Sequence, residues 1–182
     1  MGRITAGPVN LRQNDFRRTR ARHLPDDLFL GGSSEEPTAI LRGMEIQYTA
    51  IAHASGGGRN GHVRSDDDRF NLETRTPKEM GGSGEGTNPE QLFGMGYATC
   101  FLGSLHRCGK GLGLNTTDAE ISSSVGIGAV ASGGFGLAVE LVIYAPKVAT
   151  ERFDELIEAT DRTCAYSNAI RGNVAVTLTR AE

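Results

Sequence analysis

Residues 88–112, NPEQLFGMGYATCFLGSLHRCGKGL, decide how the rest of the chain is read. Asn88 is a strong N-cap, and Pro89 at the first helical position has a suitable φ and no N–H to leave unpaired. Glu90 in the first turn suits the positive end of the helix dipole. Leu92, Phe93, Met95, Tyr97, Ala98, Phe101, Leu102 and Leu105 spread over more than one face. A helix apolar on most sides is enclosed by other structure, so the stretch predicts one long central helix. Gly94, Gly96 and Gly103 each cost it about 1 kcal/mol relative to Ala, which fits close approach of another backbone. Cys100 lies mid-helix, between Thr99 and Phe101. A lone Cys there is most often a small buried hydrophobe, so its meaning depends on the remaining sequence.

The chain has 182 residues, 25 Gly, 3 Cys and a formal net charge of -3. One domain plus a tail accounts for that length. The charge gives no footprint for nucleic acid or an anionic membrane. No apolar run of about 18 residues is present to span a bilayer, and no apolar signal core follows the N-terminus. The expected location is the cytoplasm, where thiols stay reduced unless they are catalytic or redox-sensing. Cys100, Cys108 and Cys164 are too sparse, and odd in number, for a secreted disulfide framework. His23, His53, His62 and His106 do not pair with them at zinc spacing, so no metal is expected.

Residues 1–43 differ from the rest. They carry an Arg cluster (Arg17, Arg18, Arg20, Arg22) and no sustained period. The composition allows a transit peptide, but a disordered tail, or sequence translated ahead of a start at Met44, is the favoured reading. The orderly domain is expected to span 44–182. Alternation of Ile46, Tyr48, Ala50 and Ala52 predicts a strand over 45–54. HVRSDD and RFNLETRTP suggest two more around an Asp66–Asp68 turn. After the long helix, 118–130 and GFGLAVELVIYAP read as a hairpin pair. Thr150 is expected to cap a helix to about Arg162 with Phe153, Leu156 and Ile157 on one side. CAYSNAIRG reads as a turn and NVAVTLTRA as a closing strand. Strands, helix, strands, helix, strand is an α+β order with antiparallel sheet, not a doubly wound fold.

Two glycine clusters resemble nucleotide motifs. Gly56 to Gly61 matches GxGxxG, but no helix opens at its last glycine. Gly81 to Gly86 has P-loop spacing, but Thr87 stands where the Lys belongs. Both are read as tight turns. Arg59 is then a charge held on a loop.

Cys108 lies eight residues after Cys100, about 12 Å along a helix, and is expected to be incidental. Cys164 stands where a helix meets a turn. A Cys in a helix and a second in a mobile turn fit a peroxidatic and a resolving thiol. That chemistry needs a cation to hold the thiolate at neutral pH. A carboxylate can orient the cation as a bidentate pair. Arg59 and Glu90 are the candidates.

TNPEQLFGMGYATCFLGSL, GGGRNGHVRSDD, PKEMGG and CAYSNAIRGNVAV together resemble the organic hydroperoxide resistance proteins, the Ohr branch of the Ohr/OsmC family. The resemblance covers Met44 to about Arg180. It implies an antiparallel sheet wrapped around a long central helix, in an intertwined homodimer with its sites at the subunit interface. It implies a peroxidase for organic and fatty-acid hydroperoxides, with no bound cofactor and with a lipoylated protein or dihydrolipoamide as reductant. The peroxidatic Cys matches Cys100 and the resolving Cys matches Cys164. The thiolate-pairing Arg matches Arg59 and its orienting Glu matches Glu90. Phe93, Met95, Tyr97 and Phe101 are expected to line an apolar substrate pocket. One departure stands out: the family's Cys-Pro-Tyr-Ser-Asn turn has Ala165 in place of Pro. The alternative from another class is a redox sensor or small-hydrophobe-binding module that uses the same cysteine pair.

Overall fold

A computed structural model describes residues 44–181; the expectation of a tail over 1–43 lies outside them. The order is β1 (Ala52–Gly57), β2 (Asn60–Ser65), β3 (Asn71–Thr74), α1 (Pro89–Leu112), β4 (Glu120–Ala129), β5 (Phe135–Tyr144), α2 (Thr150–Thr163), α3 (Ala165–Ile170) and β6 (Ala175–Arg180). The fold is α+β with two three-stranded sheets, β1-β2-β3 and β4-β5-β6. No described helix is long and apolar enough to cross a membrane.

The helix α1 is unbroken over 24 residues. Asn88 Oδ1 accepts from the Gln91 amide at 2.9 Å, and Gly113 ends the helix in the left-handed region. Its inward side packs on β4 and α2. Tyr97, Phe101 and Leu105 join Val139, Leu141 and Ile143 of β5 and Phe153, Leu156 and Ile157 of α2 in one core. Each such burial stabilises by roughly 1.5–3 kcal/mol. None of the buried core residues comes from β1, β2 or β3.

Four expectations change. The first strand starts at Ala52, not 45, and Met44–Ile51 are exposed. Their apolar alternation finds no sheet partner among the described residues. The sheet is not wholly antiparallel, because β6 runs parallel to β5. The reason is the α2–α3 connection, a crossover that returns the chain in its original direction. CAYSNAIRG is not a turn: Ala165–Ile170 is helical, and Cys164 before it is 0% exposed. Finally, α2 is capped at Ala149, with no side-chain cap bond, and Thr150 is its first residue.

Candidate active site

Cys100 projects from the middle of α1, and Cys164 is the single residue between α2 and α3. Their Sγ atoms are 3.5 Å apart although 64 residues separate them. Both thiols are free. Burial pushes the Cys100 thiol up, and the neighbouring Cys164 thiol adds to that rise. The backbone N–H groups of Tyr166 and Ala165 donate toward Cys100 and pull the other way. Within one chain no guanidinium figures among these influences.

The guanidinium of Arg59 lies elsewhere. Gly58 and Arg59 form the tip between β1 and β2, with Gly58 at φ +67° where a side chain would be strained. Thr74, at the end of β3, locks this tip. Its hydroxyl donates to Gly58 O at 2.9 Å and accepts from the Gly61 amide at 3.0 Å. Thr74 also bridges to Thr87, just ahead of α1. The tip is thereby fixed over the first turn of α1. There Arg59 donates to both Glu90 oxygens, Nη1 to Oε2 at 2.8 Å and Nη2 to Oε1 at 2.7 Å. The Glu90 side chain is 11% exposed. These bonds hold its carboxyl below the ordinary range and hold the Arg59 guanidinium above its own. Arg59 and Glu90 are thus brought together, as are Cys100 and Cys164. The two pairs are not brought together within one chain. Ten residues of unbroken helix place them about 15 Å apart along the axis.

The four expected pocket residues divide. Tyr97 and Phe101 are 0% exposed and belong to the core, so they are corrected from pocket wall to packing. Phe93 is partly buried, and Met95 is 51% exposed. Met95 lines an apolar groove of about 940 Å³ with Glu90, Gly94, Ala98, Ile121 and Val125. The Ser123 hydroxyl on its floor is buried without a hydrogen-bond partner.

The OsmC-like protein family model matches residues 82–179. An organic hydroperoxide resistance protein of Xanthomonas axonopodis pv. citri is 45% identical over 139 residues, 75% of this chain and 96% of that one. Organic hydroperoxide resistance protein OhrB of Bacillus subtilis is 41% identical over 132 residues, 72% of this chain and 96% of its own. The crystal structure of an organic hydroperoxide resistance protein from Elizabethkingia anophelis superposes with a TM-score of 0.72 at 44% identity. It covers 76% of this chain and 99% of that one.

The chain belongs to the Ohr branch of the Ohr/OsmC family.

Two residues of this Ohr chain, Tyr166 and Ser167, escaped the sequence reading. Tyr166 packs at a tilt against Phe93 and Tyr97, with ring centroids 6.2 and 6.0 Å away. Its ring sits over Gly96, where a Cβ would come within 3.0 Å of its hydroxyl. A close approach to a glycine of α1 was expected, but from another backbone and not from a ring. Ser167 shares a buried 2.8 Å hydrogen bond with Tyr97. Ala165 supplies an N–H where the family's Pro has none. Reading AYSNAI as a turn concealed the roles of Tyr166 and Ser167.

Proposed function

We propose that this chain is a thiol peroxidase that reduces organic hydroperoxides, fatty-acid hydroperoxides among them, to alcohols. The observation that carries the reading is the 3.5 Å approach of Cys100 to Cys164. The Cys100 thiolate attacks the terminal peroxide oxygen. An S–O bond forms, the O–O bond breaks, and the alkoxide leaves as alcohol after taking a proton. Cys164 then attacks the Cys100 sulfenic sulfur; an S–S bond forms and water leaves. An external dithiol of the lipoyl type, not a bound cofactor, returns both thiols.

A thiolate needs a cation, and Arg59 is paired with Glu90, which lies about 15 Å before Cys100 along α1. The reading therefore places the Arg59–Glu90 pair of one subunit against Cys100 of the other in a homodimer. Three observations support it. The sheet β1-β2-β3 contributes nothing to the core. Met80, Met95 and Phe70 are 40%, 51% and 58% exposed. The groove beside Met95 is apolar and open. If Glu90 faces the partner's Cys100 across antiparallel helices, the two-fold axis passes near residue 95. Met95 and Ala98 line the open groove there.

The deciding assay supplies dihydrolipoamide and follows hydroperoxide. An enzyme consumes cumene hydroperoxide in multiples of its own concentration; a sensor stops at one equivalent per chain, which would sink the proposal. Burying roughly 100 Å² of the organic group is worth about 2.5 kcal/mol. Catalytic efficiency should therefore exceed that for hydrogen peroxide by about 100-fold. Equal efficiencies would remove the apolar subsite from the reading.

The shared site has its own test. Cys100→Ser and Glu90→Ala chains, each inactive or impaired alone, are mixed. One of the two sites in a mixed dimer then holds an intact Cys100 facing an intact Arg59–Glu90 pair, so activity returns in part. No recovery, or a fully active monomer, would count against a shared site.

A further inference from the structure

The sulfenic acid of Cys100 faces two fates. Cys164 converts it to a disulfide, with water leaving. A second hydroperoxide instead oxidises it to a sulfinic acid, an S–O bond forming as the O–O bond breaks and a second alcohol leaving. Which fate wins depends on how firmly Cys164 is held, and α3 is poorly equipped to hold it alone. It has six residues, too few to be a stable helix by itself. No side chain caps its N-terminus. One flank borders a cavity of about 200 Å³ lined by Tyr97, Ser167, Arg171, Val174, Val176 and Leu178, so packing does not fill that side.

Two polar ties fasten α3 and its C-terminal end to α2. Asn168 Nδ2 donates to Arg162 O at 3.1 Å, and Arg171 Nη1 donates to Asp161 Oδ2 at 2.6 Å. Neither reaches α1, which carries Cys100. Apart from contacts at the Cys100 sulfur, one hydrogen bond among the described residues joins α3 to α1. It is the buried 2.8 Å bond between the Tyr97 and Ser167 hydroxyls. Its placement matches the thiols. Tyr97 lies three residues before Cys100, and Ser167 three residues after Cys164. Each partner is about one helical turn from its cysteine. Burial raises the Tyr97 phenol above its ordinary value, so the hydroxyl keeps its proton at neutral pH.

We propose that Tyr97 and Ser167 are positioning residues for the resolving step, their hydrogen bond holding Cys164 against Cys100 so that the sulfenic acid is captured before a second hydroperoxide arrives. The proposal rests on Cys100 and Cys164 forming a disulfide in turnover. A buried hydrogen bond of ordinary strength predicts a resolving step about fivefold slower without it.

The test treats the full-length protein and its Tyr97→Phe, Ser167→Ala and doubly substituted variants with graded cumene hydroperoxide. Intact-mass spectrometry reads the ratio of Cys100 sulfinate to Cys100–Cys164 disulfide, well below each variant's melting midpoint. Each single variant should raise the sulfinate ratio about fivefold, while the first loss of the Cys100 thiol slows less than the resolving step. The double variant should do no worse than either single one, since the pair acts as a unit. Should Tyr97→Phe fail to fold, Ser167→Ala carries the same expectation. Unchanged ratios, effects that multiply in the double variant, or an equal slowing of both steps would overturn the proposal. A wild-type protein that forms no such disulfide would overturn the underlying reading as well, and so separates the two failures.

Discussion

Cys100→Ser is expected to abolish hydroperoxide consumption, while Cys164→Ser is expected to stop after one equivalent per chain, or after two once excess hydroperoxide takes the unresolved sulfenic acid to sulfinate. The difference follows from position. Cys100 is partly accessible, with backbone amides of Tyr166 and Ala165 donating toward it. Cys164 is 0% exposed and reaches the reaction through its 3.5 Å contact with Cys100. Without Cys164 the sulfenic acid persists and proceeds to sulfinate. The measurement is hydroperoxide consumed per chain, with mass spectrometry of the product. Cys108 lies further along α1, its Sγ 3.2 Å from the Thr163 hydroxyl, and Cys108→Ser should leave turnover within about twofold, as a substitution away from the reacting atoms does. A Cys108-containing disulfide in the oxidised protein would reverse the assignment of Cys164.

Arg59→Ala is expected to produce the second large loss, and to change the shape of the pH profile. In a single chain, burial raises the Cys100 thiol above the ordinary value. A thiol left there is ionised to a few per cent or less at pH 7. A guanidinium at the thiolate brings ionisation near completion, so its loss should slow the first oxidation at pH 7 by about 30-fold or more. The rate of the variant should climb with pH through the alkaline range, whereas the wild type stays flat from neutrality upward. The acid side obeys the opposite sign. Glu90 has its carboxyl depressed by its bonds to Arg59. Its contribution is fully present above the unfolded value of about 4.3 and disappears as pH falls through the lower folded value. The clamp should therefore survive mild acid. A flat profile in Arg59→Ala, or activity equal to wild type, would remove Arg59 from the site.

The central helix was legible because its signals are local: Asn88, Pro89, Glu90 and the run of apolar residues that follows. The strands β4 and β5 were legible for the same reason, alternation against one buried face. What failed was set at long range. Ile46 and Tyr48 alternate as a strand should, yet are 63% and 83% exposed. Alternation records a face to be buried without saying what buries it. AYSNAI lacks strong helix formers at four of its six positions, and α3 is fixed by tertiary contacts such as Tyr97 to Ser167. The direction of β6 depends on a crossover, which no property of NVAVTLTRA encodes. Arg59 and Glu90 were proposed from chemistry and resemblance. The Thr74 lock that sets one over the other leaves no trace in spacing. Tyr97 and Phe101 were misplaced because an all-round apolar helix does not declare which side faces a core and which a groove.

The approach of two thiols across 64 residues of chain also bears on what can reverse the reaction. Closing a loop of that length is worth about 4 kcal/mol in chain entropy to a disulfide that the fold accommodates. Expressed as a potential, that lies about 90 mV below the same pair in a disordered chain. A monothiol that opened such a bond would form a mixed disulfide, with Cys164 held beside it to expel the intruder. A dithiol escapes the reversal, because its second sulfur closes a ring and departs. On the proposed reading, the folded scaffold therefore favours a dithiol over a monothiol as electron donor.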